Sequence, residues 1–231
     1  MNGFEGQDLV ALISFIGAWV GYHLAVERGP HAGRSLNARM NLRRRRWFEQ
    51  SLARDNRIID TQVMNGLQNG TAFFASTSLI AVGGAATMLG ATDSIMTLTR
   101  DLPLAGVTSR FVWEVKVIGL AAIFAYAFFK FAWSYRLMNY SAILLGALPP
   151  AAARESAEAK QALEACIAMN IAAGRHFNRG QRAFFFVLAY LGWFIGPVAL
   201  GVLTAAVMVV MWNRQFGKGA SEALAETGAN P

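Results

Sequence analysis

The chain has 231 residues, 55% of them hydrophobic and 15% charged, with a net charge of +7. Four long apolar runs occupy nearly half of that length, so no room is left for a separate soluble catalytic domain of ordinary size. The basic residues lie between the apolar runs, as in the cytoplasmic loops of membrane proteins. This argues against nucleic acid as a partner, and the lone cysteine, Cys166, excludes an internal disulfide and a cysteine-based metal site.

The N-terminal MNGFEGQD carries Glu5 and Asp8 and no Lys or Arg. It lacks the basic segment of a secretory leader, so the first apolar run is expected to be retained. That run, about residues 9–26, is the first expected span. Gly17 and Gly21 form a GxxxG there, a pattern that lets helix backbones approach closely in lipid.

Residues 27–67 form a polar segment with nine Arg, Arg43 to Arg46 among them. Phe48, Leu52, Ile59 and Val63 recur near i, i+4 spacing and predict an amphipathic helix. Trp47 suits the headgroup level. The second span, about 69–91, is rich in Ala, Ser, Thr and Gly, a surface suited to packing on other helices. The hydroxyls of Ser76, Thr77 and Ser78 either bond back to their own helix or line a polar path.

Residues 92–110 read as a short loop containing Pro103 and Gly106. The third span, about 111–133, holds Glu114, Lys116 and Lys130 toward its ends, where charges either snorkel to the interface or couple to an ion or substrate path. No proline follows until Pro149, so this helix is expected to run on toward Leu148. Residues 151–173 predict a second amphipathic helix, with Glu155 and Glu158 in its first turns and a Leu163, Ile167, Ile171 stripe. Gly174 can end it, and RHFNRGQR then reads as a turn.

Residues 183–212 run for thirty positions without a charge and read as the fourth span. Their fifteen Phe, Leu, Ile and Val favour insertion by about 4 to 9 kcal/mol. Gly192 and Gly196 form a second GxxxG, and Pro197 should bend the helix in its middle. Residues 213–231 are small and polar and read as a disordered tail.

Fifteen Lys and Arg lie in segments 27–67 and 134–182, against four in the N-terminus, the 92–110 loop and the tail. The positive-inside rule then places both long segments in the cytoplasm and both termini outside. The expected architecture is all-α: one four-span bacterial inner-membrane domain over residues 1–212, with helical extensions on the cytoplasmic side.

Five stretches together resemble a bacterial and plant membrane family filed as domain of unknown function 599. They are the Arg-rich segment ending in Trp47, FFASTSL from Phe73, FKFAWSYRLMNY from Phe129, HFNRGQRAFFF from His176 and WFIGP from Trp193. The resemblance implies a four-span membrane protein and no particular activity.

The densest polar constellation is expected at the cytoplasmic membrane face. Lys130, Arg136 and Asn139 lie at the inner end of the third span, and Arg175, His176, Arg179 and Arg182 precede the fourth. Such cations, ringed by aromatics, can hold an anion or a lipid phosphate; positive-inside anchoring alone also places them there. No nucleophile, acid–base pair, metal site or cofactor motif is visible, so an enzyme is not expected. The reading favoured is a homo-oligomer that passes ions or small solutes. The alternative is a non-catalytic scaffold that binds anionic phospholipid or a protein through its basic helices.

Overall fold

The computed structural model describes residues 6–99 and 109–217. Among them are seven α-helices and no strand. The helices are α1 (Gly6–Arg28), α2 (Leu36–Leu52), α3 (Ile58–Gly90), α4 (Thr92–Thr99), α5 (Arg110–Gly146), α6 (Ala157–Leu191) and α7 (Pro197–Phe216). Four of them, α1, α3, α5 and α7, are long and apolar enough to cross a membrane.

Packing divides the chain into two units. One comprises Met1–Leu36, Leu79–Tyr126 and Arg182–Pro231; the other comprises Asn37–Ser78 and Ala127–Gln181.

In the second unit, Phe48, Leu52, Met64, Leu145, Cys166 and Ile167 form a buried core. Leu163 and Ile171 pack against it, so the predicted stripe of α6 faces inward. Burial pushes the Cys166 thiol up to about 11. The stripe predicted across residues 48–63 belongs instead to two helices. Phe48 and Leu52 are buried, whereas Ile59 is 71% exposed. The chain breaks because Asn56 accepts a hydrogen bond from the Ile58 N–H, starting α3 afresh. Arg57 then donates to the carbonyls of Ser51, Leu148 and Pro149, tying the break to the end of α5. Asp60, fully buried in the first turn of α3, accepts from Trp47 and Arg54 at 2.7 and 3.0 Å.

The helix predicted to run on from the third span does so, to Gly146. The helix predicted to stop at Gly174 does not: α6 continues through RHFNRGQR to Leu191. Gly174 is a packing position rather than a terminus, since a Cβ there would overlap the Arg44 guanidinium. Burial lowers the pKa of Arg44 at this seat.

In the first unit, the segment expected as one span over 183–212 is two helices. α6 ends at Leu191, a 3-10 turn covers Gly192–Phe194, and Pro197 opens α7. Proline suits a first helical position, where its missing N–H is not needed, so it starts a helix here rather than bending one. Trp193 lies against Asp8 at the start of α1, while Arg182 pairs with Glu27 near its end. α6 therefore runs antiparallel to α1. Pro197 and Val198 share a groove with Gly6 and Val10, and the Tyr22 hydroxyl donates to the Met211 carbonyl at 3.1 Å. α7 therefore runs parallel to α1, and α6 and α7 form a hairpin.

Among the described residues nothing lies within 4 Å of a Cβ placed at Gly17 or Gly21, and both are exposed. Gly192 and Gly196 do not make a helical GxxxG, because the break falls between them. Gly192 still allows a close approach, since a Cβ there would lie 2.8 Å from the Leu203 side chain and 2.9 Å from the Ala199 carbonyl. The segment read as a loop over 92–110 begins with α4, and its residues 100–108, with Pro103 and Gly106, lie outside the described residues. Of the tail read as disordered, residues 213–216 continue α7, and 218–231 lie outside the described residues.

Candidate functional site

The break between α6 and α7 creates a backbone need that the sequence meets with a charge. In a continuous helix the Trp193 carbonyl would accept from the N–H four residues on. That residue is Pro197, which has none. The Ile195 and Gly196 N–H groups both go to the Gly192 carbonyl at 3.0 Å. The Lys116 ammonium fills the vacancy, donating to the Trp193 carbonyl at 2.8 Å. It lies 5.3 Å from the centre of the Trp193 ring and is only 5% exposed.

Asp8 completes the arrangement by accepting from the Trp193 indole N–H at 2.7 Å. Tyr190 donates to the Lys116 carbonyl at 3.1 Å. Gly119 makes that approach possible, since a Cβ there would overlap the Tyr190 hydroxyl. Lys116 was expected to snorkel toward water. Instead it caps the broken helix from inside the unit, near a carbonyl end where the helix dipole favours a cation. Glu114 pairs with Arg110 at 2.8 Å.

A second charged group lies toward the other end of α1. Arg182, 7% exposed, pairs with Glu27, and the His23 Nδ1 lies 3.5 Å from the same carboxylate. Between the two charged groups lies an aromatic layer. Trp19 stacks on Phe186 at 5.1 Å, and Phe15 meets Phe186 and Tyr190 edge-on at 5.7 and 5.6 Å. A groove of about 390 Å³ runs beside this layer between α1 and α5, lined by Trp19, His23 and Tyr126 among others.

Of the residues singled out from sequence, Arg182 belongs to the first unit, and Lys130, Arg136, Asn139, Arg175, His176 and Arg179 belong to the second. Within the second, Arg136 lies over the rings of Trp133 and Tyr140, and Trp133 touches the His176 ring edge-on. Asn139 accepts from Gln68 at 2.7 Å, a contact between α3 and α5. Arg175 is exposed, and Lys130 and Arg179 are half-buried.

Two of the three hydroxyls singled out on α3 bond back to their own helix. Thr77 donates to the Phe73 carbonyl and Ser78 to the Phe74 carbonyl, at 2.8 and 2.7 Å. The sequence pattern gave Asp8, Glu27 and Trp193 no role in a site. The usable signal was Pro197 four residues after Trp193, together with a lysine two turns inside an apolar helix.

Four helices long and apolar enough to cross a membrane mark a multi-pass helical membrane protein. The chain belongs to the family described as "Protein of unknown function, DUF599", whose model matches residues 10–220. Comparison with curated proteins gives no match, and neither does comparison with solved structures.

Proposed function

We propose that this protein passes small ions or solutes across a bacterial inner membrane. The observation that carries this reading is Lys116, buried on the carbonyl that Pro197 leaves without a donor. Charged groups inside membrane segments are costly and accompany ion and substrate pathways. Interrupted helices whose ends meet such charges are the recurring binding elements of transporters. The path runs between the Asp8–Lys116 group and the Glu27–Arg182 group, closed in this conformation by the aromatic layer of Trp19, Phe186 and Phe15. The outward-facing Gly17 and Gly21 on α1 support assembly of several copies.

The topology proposed adds to the four long apolar helices a fifth crossing, made by the end of α6 and the turn that follows it. The apolar end of α6 carries the chain back across before α7 crosses in the direction of α1. Arg214 and Lys218 then join the two basic segments on the cytoplasmic side. The bias rises from fifteen against four to seventeen against two, which the positive-inside rule favours. The N-terminus is outside and the C-terminus inside.

The test is flux from proteoliposomes loaded with common cations and anions. The expected result is flux above empty vesicles, altered by at least about tenfold in Lys116→Met, on the scale of losing a buried charge contact. Flux equal to empty vesicles for every ion overturns the reading.

A second reading, the non-catalytic scaffold, draws on the α3 hydroxyls. Thr77 and Ser78 bond to their own helix, so two of the three hydroxyls of that run are spent internally. A protein without flux that still binds anionic vesicles fits this reading.

A further inference from the structure

The exposed face of α5 just beyond its apolar stretch carries one cation between aromatic walls. Phe129, Trp133, Arg136, Tyr140 and Ile143 follow one another at spacings of four, three, four and three residues, so they share one helix face. All five are exposed, Phe129 and Ile143 most of all.

Arg136 is held in place on this face. Its Nε donates to the Tyr140 hydroxyl at 2.8 Å. Its guanidinium carbon lies 5.6 Å from the centre of the Trp133 ring and 5.5 Å from that of Tyr140. Among the described residues no carboxylate pairs with it. The remaining edge of the fork, with its Nη donors, is thus fixed in direction and open to an acceptor. Arginine presents such a fork to phosphate bidentately, and immobilising it beforehand lowers the entropic cost of binding.

We propose that this face binds an anionic phospholipid, with the phosphate on the Arg136 fork and an acyl chain along Phe129 and Trp133. Charge and polarity select the occupant. A lone guanidinium on an otherwise apolar strip complements a ligand with one anionic group and a long apolar body. The aromatic walls suit the headgroup level, where Trp and Tyr concentrate. The strip lies at the end of α5 nearest the basic segments, the side on which anionic lipid attracts juxtamembrane cations. The inference requires only membrane residence, so the flux experiment does not bear on it.

The test is native mass spectrometry of the full chain in detergent, titrated with phosphatidylglycerol, with phosphatidylcholine or with inorganic phosphate. The wild type is expected to bind phosphatidylglycerol in preference to phosphatidylcholine, with inorganic phosphate failing to compete. Arg136→Gln should lower phosphatidylglycerol affinity by about tenfold. Tyr140→Phe, which keeps the ring and loses only the hydroxyl, should lower it about threefold. This milder variant serves if Arg136→Gln does not fold. Undiminished phosphatidylglycerol binding in either folded variant overturns the proposal. Competition by millimolar inorganic phosphate overturns it too, since it marks a site for the free anion.

Discussion

At Trp193 a carbonyl has lost its backbone donor to Pro197 and gained an ammonium from Lys116. A buried acceptor left bare costs about 1 to 3 kcal/mol. Lys116→Met should therefore lower stability by about that amount, read as the thermal midpoint in detergent. Pro197→Ala returns an N–H to the position from which a helix would bond Trp193. In the Lys116→Met background it should restore part of the loss, a coupling that a double-mutant cycle isolates. Strictly additive effects would contradict the assignment of Lys116 as the substitute donor. Part of this was readable in the sequence, which marks Pro197 as an interruption and Lys116 as a charge inside an apolar run. Which carbonyl the lysine answers was not readable, because the two lie 77 positions apart and meet only through the packing of α5 on the hairpin.

Among the elements, α6 departs furthest from the pattern of its residues. Gly174 and the basic, asparagine-bearing stretch that follows have turn composition, yet they sit inside a helix of 35 residues. Tertiary contacts supply the reason. Gly180 packs on the ring of Phe131, which is fully buried and stacked on Phe74. Gly174 makes room for Arg44. These glycines are small because α6 is closely approached, a cause that local propensity does not encode. Gly180→Ala should therefore destabilise by about 1 to 3 kcal/mol despite the better helix former, since a rigid ring must move. Gly66→Ala, on an open face of α3 with nothing near its Cβ position, should instead stabilise by about 0.5 to 1 kcal/mol. Thermal midpoints of the two variants moving in the same direction would contradict this account. Elements whose signal is local came through directly. α5 runs unbroken to Gly146 because no proline stops it, and the Leu163, Ile167, Ile171 stripe lies on the core as its spacing requires.

For the whole molecule, residues 183–212 decide the count of crossings. Their thirty uncharged positions are long enough for one span with tilt. With the apolar side of α6 adjoining, they also make two helices joined by a short turn. Composition does not separate these cases, whereas the pairings of α1 do: Asp8 with Trp193, Glu27 with Arg182, and Tyr22 with Met211. Those contacts set α6 antiparallel and α7 parallel to α1, and with them the proposed separation of the chain's two ends. The most direct measurement is a reporter fused after Arg214, once as green fluorescent protein and once as alkaline phosphatase, beside the same pair fused at the N-terminus. The α6–α7 hairpin predicts fluorescence without phosphatase activity at the C-terminus and the reverse at the N-terminus. Phosphatase activity at both ends would mean that 183–212 crosses once, and would contradict the hairpin.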